Sequence, residues 1–381
     1  MTRVRFLLVF GLVLVLRVSI AARFRGNFDT QSFLIAVQSV VTGQNIYVAT
    51  DRYNYSPLWS FVATGIWNIA KPDAGTFVFL LGAVQIAADA ASTFLLLLIA
   101  RRRLGVNEEE SRRRALLFFS NPISVLISCS HGQFDGLSIL FLLAALLFAA
   151  SPPSGKRSLS VAPSWARSFS VAAMLSLSLL VKHVTIFHPL LFSKRREKGG
   201  LPDAAVLAPY AVFAAAFLPY VAALDRIVDN VFLYGGRLSG PVLERGGGIQ
   251  SLLELAPRRP ILFALILLAA VAWALRETRA WELARASLLL FLVLLCFSPS
   301  YGVQYLVWPI ALGSLYPSAA YGVFTLAGAL YHSSAPESVA IPWPIRATPS
   351  ATWLAAVVWL VTETVRGRRA LRGNPDSVSA A

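Results

Sequence analysis

The sequence predicts an all-α, polytopic integral membrane protein of about twelve transmembrane helices, and three observations carry that expectation. Hydrophobic residues make up 56% of the chain and charged residues only 14%, against about a quarter charged in a soluble domain. Apolar runs recur near residues 4–22, 76–100, 134–150, 204–223, 260–275 and 286–297, several of them long enough to cross ~30 Å of hydrocarbon. The net charge of +15 gathers between those runs, in "RRRLGVNEEESRRR" (101–114), "SGKRS" (154–158), "SKRREK" (193–198), "RETRAWELAR" (276–285) and "RGRRALR" (366–372). Such clusters set topology and attract anionic headgroups. No interleaved aromatics or recognition motif accompany them, so they do not point to nucleic acid.

The first run follows "MTRVR". Its long apolar core and the lack of a small-residue cleavage site predict a retained helix rather than a signal peptide. Placing every basic cluster on the cytoplasmic side then gives the path. Residues 4–22 run outward and make 23–75 an external loop carrying interfacial helices. Residues 76–100 return to Arg101–Arg103, 115–130 go out, and 134–150 come back to Lys156 and Arg157. The stretch 168–192 is short for two crossings, which predicts broken or re-entrant helices against protein or water. Next, 204–222 runs outward, 260–275 inward, 286–298 outward, 303–315 inward, 318–331 outward and 351–365 inward. The expectation is one membrane domain over 1–381 with both termini cytoplasmic, a flexible external loop at 224–260 and a tail at 366–381. Its short loops favour a prokaryotic plasma membrane over an endoplasmic reticulum. Cys129 and Cys296 fall in or beside apolar runs without metal-ligand spacing, and read as small buried hydrophobes.

Polar groups that are not topology signals collect on the external face, where a site is to be sought. In "DTQSFLIAVQSVVTG", Phe33, Ile35, Val37, Val40 and Val41 form a weak helical stripe with Gly43 as its C′ residue. A helix in the interface plane fits it. Asp29 stands at its start, either capping backbone amides or available for chemistry. "YNYSPLWSF" turns at Pro57 into a second aromatic-rich interfacial helix. "HGQFDG" sets His131, Gln133 and Asp135 between glycines that permit a close turn. It reads as a helix-to-helix turn capped by Asp135, or as a carbohydrate or phosphate contact.

Lys182 and His183 end an apolar helix. There Lys182 snorkels to headgroups, complements a helix C-terminus, or binds phosphate as a compact charge. Arg237, Arg245 and the glycines at 246–248 read as a basic flap or a solvent loop, while Tyr301, Gln304, Tyr305 and Trp308 are belt aromatics or the wall of a sugar pocket. No Walker A, GxGxxG, HExxH or GxSxG context is present, and no soluble nucleotide-binding domain. An activated substrate on the outer face therefore arrives most simply as a membrane lipid.

With the loops so placed, the chain resembles the GT-C superfamily of integral-membrane glycosyltransferases, which use sugars activated on polyprenyl or dolichyl phosphate. "DTQSFLIAVQSVVTGQNIYVATDRYNYSPLWSF" is similar to the first external loop of GPI mannosyltransferase I catalytic subunits. "NPISVLISCSHGQFDGLSIL" resembles their asparagine-proline helix, the "HFQ" turn of endoplasmic-reticulum glucosyltransferases and the "GGQ-N/F-D" turn of bacterial polyprenyl-phosphate mannosyltransferases. "KHVTIFHPLLF" resembles the "KQ/KH" hairpin of the same groups.

The resemblance implies Asp29 as catalytic base and Lys182 and His183 as donor-phosphate contacts, with His131 and Gln133 lining the pocket. Asp135, Arg237, Arg245, Tyr301 and Gln304 complete the substrate-binding candidates. The implied reaction is inverting transfer of a hexose, most simply mannose, to a lipid, glycan or protein acceptor at the external face. The implied partners are membrane lipids and the lipid-phosphate sugar, with no nucleic acid. One departure matters: where the eukaryotic enzymes often pair two acids, this chain has Asn27-Phe28-Asp29. A lone carboxylate gives no indication of a metal or other cofactor. It suits a displacement in which phosphate is already a good leaving group and only a base is needed; two acids would be expected of a glycosidase. The rival expectations are a secondary transporter of a polar solute and a non-catalytic scaffold for another membrane enzyme.

Overall fold

The computed structural model describes residues 1–149, 164–193, 203–232, 260–298, 302–333 and 347–372, and these are all-helical. Helix α1 (Arg3–Arg23) buries Phe6, Arg17 and Ala21 and leaves Leu8, Leu12 and Val15 bare. Helix α2 (Phe28–Val41) starts in a capping box: the Asn27 side chain accepts the Thr30 amide at 3.0 Å, and Thr30 Oγ1 accepts the Asn27 amide at 2.7 Å. Gly43, at φ +69°, closes it as the C′ residue the stripe predicts. After α3 (Ile46–Ala49), Pro57 opens α4 (Pro57–Ala70), where its missing N–H is harmless. Asp73 caps the 29-residue α5 (Ala74–Arg102) through the amides of Gly75 and Thr76.

From here the chain is repeatedly broken. Helix α6 (Glu108–Phe119) ends before Asn121, and Pro122 starts α7 (Pro122–Leu126), which runs into a π-turn (Ile127–His131). Gly132, left-handed at φ +70°, ends that turn and sends the chain into α8 (Asp135–Ala149). Helix α9 (Ser164–Val181) stops at Lys182, where a 3-10 turn (His183–Thr185) leads to the short α10 (His188–Ser193). Helix α11 (Asp203–Ala215) is followed, at a 51° bend, by the segment 218–232 that contains α12 (Leu224–Ile227). The remainder comprises α13 (Pro260–Glu277), α14 (Leu283–Phe297), a 3-10 turn (Val303–Val307), α15 (Ile310–Gly313), α16 (Ala319–Ser333) and α17 (Pro349–Arg372).

Helix α14 is apolar all round and buried from Ala286 to Cys296, as such a helix must be. It is the post against which α10, α13, α15 and α17 pack. A second core joins α2, α4, the start of α5 and the loop before α8 through Phe33, Tyr53, Trp59, Phe77 and Phe134. Both cysteines are buried and free.

Four expectations change. By length and composition two described helices, α1 and α5, are fit to cross a membrane, and a third if the bent pair 204–232 is one span. The described residues do not support a count of about twelve, because breaks leave five of their apolar helices at only 10–17 residues. The first-loop helices form, but several of their aromatics face the core, while Phe28 and Phe61 stay exposed. Trp59 and Phe33 are 0% and 1% exposed and pack against Phe134 inside the protein. Of the expected loop at 224–260, residues 224–232 are helical, and residues 366–372 of the expected tail belong to α17.

Candidate functional site

A chain of polar contacts links four separated segments, beginning at Asp29 in the first turn of α2. Since Asn27 is the cap, Asp29 is not one, and the capping reading of this residue is corrected. Its Oδ2 accepts a 2.6 Å hydrogen bond from Gln133 Nε2, and its side chain keeps 23% exposure. His131 Nδ1 lies 3.6 Å from the same oxygen, a charge-distance contact rather than a hydrogen bond. Asn27 Nδ2 donates to the His131 carbonyl at 3.0 Å and lies 3.4 Å from the ring Nδ1, and the ring packs edge-on to the buried His332.

Gln133 passes the chain inward, its Oε1 lying 3.3 Å from Lys182 Nζ. Lys182 is buried and donates to Asp135 Oδ2 at 2.6 Å, so it neither snorkels nor reaches for headgroups. Asp135 is fully buried, and its Oδ1 accepts from Trp308 Nε1 at 2.6 Å. With both oxygens so engaged, Asp135 is a counter-charge and not the helix cap expected of it. The Lys182 ammonium also sits 5.3 and 5.4 Å from the ring centroids of Phe134 and Tyr55, within cation–π range.

The alternation of the loop explains why it divides this way. Phe134 points into the second core, stacked on Trp59 at 3.8 Å. Its neighbours Gln133 and Asp135 are thereby turned to the polar side. Gly132 adds a steric requirement, since a Cβ there would lie 3.1 Å from Thr30 Cγ2 on α2. The loop therefore comes close to the helix that carries Asp29.

Lys182 fronts a cavity of about 250 Å³ whose polar wall includes Asn54, His183, Gln304 and Trp308. Its apolar wall includes Phe232, Leu267 and Leu294. The size lies just below the ~300–1,000 Å³ of most small-molecule sites. An ammonium has three donors; two face Asp135 and Gln133, and the residue also lines the cavity. His183 is partly exposed yet closely packed, and burial, with Lys182 alongside, pushes its imidazole down to about 4. At neutral pH it offers hydrogen bonds and no charge.

The structure thus brings together Asp29, His131, Gln133, Asp135, Lys182, His183 and Gln304. Arg237, Arg245 and Tyr301 lie outside the described residues. Among the described residues no group of three or more His, Cys, Asp or Glu side chains is arranged to hold a metal ion. Asn27 is missed by the sequence reading as a contributor, and Trp308 is named there only as a belt aromatic or pocket wall. Asn27 was legible as the first member of an N-x-x-T capping box. Trp308 carried no signal separating a belt aromatic from the indole donor that Asp135 needs. No protein-family model matches the chain, and no curated protein matches it.

Proposed function

We propose that the chain is a multi-pass membrane glycosyltransferase that moves a hexose from a polyprenyl-phosphate donor to an acceptor hydroxyl at the outer face. The observation that carries this reading is a partly exposed carboxylate, Asp29, tied through Gln133 to a buried ammonium, Lys182, that fronts a half-apolar cavity. The bare apolar faces of α1, α13 and α17, with Leu8, Leu265 and Leu354 more than half exposed, support a lipid surround.

In the reaction the acceptor oxygen bonds to the anomeric carbon as the carbon–oxygen bond to phosphate breaks. Asp29 takes the hydroxyl proton, and the departing phosphate leaves with the electron pair, inverting the anomeric centre. Gln133 orients the carboxylate. Lys182 supplies positive charge toward the phosphate, and His183 and Gln304 supply neutral hydrogen bonds. Phe232, Leu267 and Leu294 suit the first isoprene units of the donor.

The test is transfer from radiolabelled polyprenyl-phosphate mannose or glucose by the purified chain in liposomes. Wild type is expected to transfer one of the sugars, and Asp29→Asn to lose at least about a hundredfold in rate. Equal transfer by both proteins removes Asp29 from the chemistry. Solute uptake that is lost in Asp29→Asn, with no sugar transfer by either protein, makes the chain a transporter instead.

A further inference from the structure

We infer that Arg17 and Asp89, a fully buried ion pair outside the polar chain of the site, are positioning residues that fix the loop 131–135 from both of its flanks. The inference rests on the reading of that loop as part of a transferase site. Arg17 Nη1 donates to Asp89 Oδ2 at 2.7 Å, and neither side chain is exposed. Arg17 also donates through Nε and Nη2 to the Phe119 carbonyl, at 3.0 and 2.7 Å, and through Nη2 to Ser124 Oγ at 2.8 Å. It lies over the Phe119 ring as well, 4.6 Å from the centroid.

These contacts pin the last residue of α6 and the body of α7, on either side of the Asn121–Pro122 break. Asp89 continues the same work along the chain. Its Oδ2 accepts from Ser124 Oγ at 2.9 Å and from Ser128 Oγ, within the π-turn, at 2.7 Å. Its Oδ1 has no hydrogen-bond partner among the described residues and packs close to α8, where a Cβ built on Gly136 would stand 2.8 Å from it. One carboxylate on α5 therefore hydrogen-bonds the turn that ends in His131 and packs closely against the residue just after Asp135.

A π-turn departs from the regular i→i−4 ladder and so has weaker grounds of its own for holding a side chain in place. A buried ion pair is a weak source of net stability, since desolvation offsets its attraction. What this pair supplies is fixed geometry through charge-assisted hydrogen bonds. An ionisable residue inside an apolar helix, as Arg17 is in α1, is by default tied to function, with its partner named.

The test is hydrogen–deuterium exchange of the full chain in nanodiscs, comparing wild type with Asp89→Asn, Arg17→Gln and the milder Ser128→Ala. Exchange of amides 127–136 is expected to quicken at least about tenfold in the first two and by a smaller factor in Ser128→Ala. Peptides from α2 and α14 should keep wild-type rates. In the transfer assay kcat should fall about tenfold with the donor KM within about twofold, because the groups that bind the donor are still present. Unchanged exchange in 127–136 overturns the inference. So does equal quickening in α14, which would make the pair a general support, and so does a raised KM at constant kcat. Should the charge variants fail to fold, Ser128→Ala keeps both charges and decides alone. Exchange needs no substrate, so a wild-type chain without transferase activity refutes the proposed function and leaves the exchange result standing.

Discussion

Lys182 and Asp135 lie 2.6 Å apart with side chains 7% and 0% exposed, and that burial sets the cost of separating them. Asp135→Asn is nearly isosteric and opens no cavity. It leaves the ammonium buried without a counter-charge, with neutral acceptors such as Gln133 Oε1, at 3.3 Å, and two ring faces for company. Removing one member of a buried pair costs about 3–5 kcal/mol. Lys182→Met leaves a carboxylate whose one remaining strong donor is Trp308, and should cost about the same. The double variant holds no buried charge, and an Asn at 135 can still accept from Trp308. Its loss should be about 1–3 kcal/mol, the range for an imperfectly paired polar group. The single losses sum to about 6–10 kcal/mol, so the coupling between the two residues is at least about 3 kcal/mol. Equilibrium unfolding at fixed detergent, monitored by near-ultraviolet circular dichroism, measures all four corners of the cycle. Additive losses, or single variants within about 1 kcal/mol of wild type, would refute the reasoning.

Gly313→Ala should destabilise by about 1–3 kcal/mol through overpacking, because its Cβ would stand 2.4 Å from the buried Trp359 ring; Gly322→Ala on α16, with nothing within 4 Å, should be nearly silent in the same unfolding measurement. For His183, the folded imidazole is lowered from 6.5 to about 4, so below pH 6.5 the unfolded chain binds the extra proton. Stability is then full above that pH and falls as the pH drops toward 4. His183→Gln should flatten this part of the pH dependence, and equal slopes for both proteins would contradict it.

The all-helical class was legible because the apolar runs are long and the basic clusters punctuate them. The ends of the first-loop helices were legible too, since Gly43 and Pro57 have only one good position each relative to a helix. The span count was not, because hydropathy sums over a window and is blind to where a hydrogen-bond ladder stops. Asn121–Pro122 and the π-turn each interrupt a stretch that scores as continuous, whereas the break at Lys182 falls in the stretch 168–192 whose length already predicts broken helices. Within the site, the residue types could be named but not paired. Asp135 is a cap by local rules, and only its tertiary partners Lys182 and Trp308 make it a counter-charge. Arg17 was passed over as one polar residue in an apolar run, since its partner Asp89 lies 72 residues on.

Those sequence separations bear on how the protein is made. Asp29 meets Gln133 across 104 residues, Lys182 meets Asp135 across 47, and Trp308 reaches Asp135 across 173. No stretch emerging from the ribosome carries the whole polar chain until about four-fifths of the sequence has been synthesised. Until then Asp135 holds one of its two strong partners, and the cavity lacks the wall that Gln304 and Trp308 supply. Contacts this distant in sequence are slow to close. The Arg17–Asp89 pair, by contrast, is available before residue 90 and can brace the first helices while the rest of the chain is still being added. The order of synthesis thus builds the brace first and completes the polar chain last, and a chain cut short before Trp308 would keep the Asp29–Gln133–Lys182 contacts but leave Asp135 without its indole donor and the cavity without one wall.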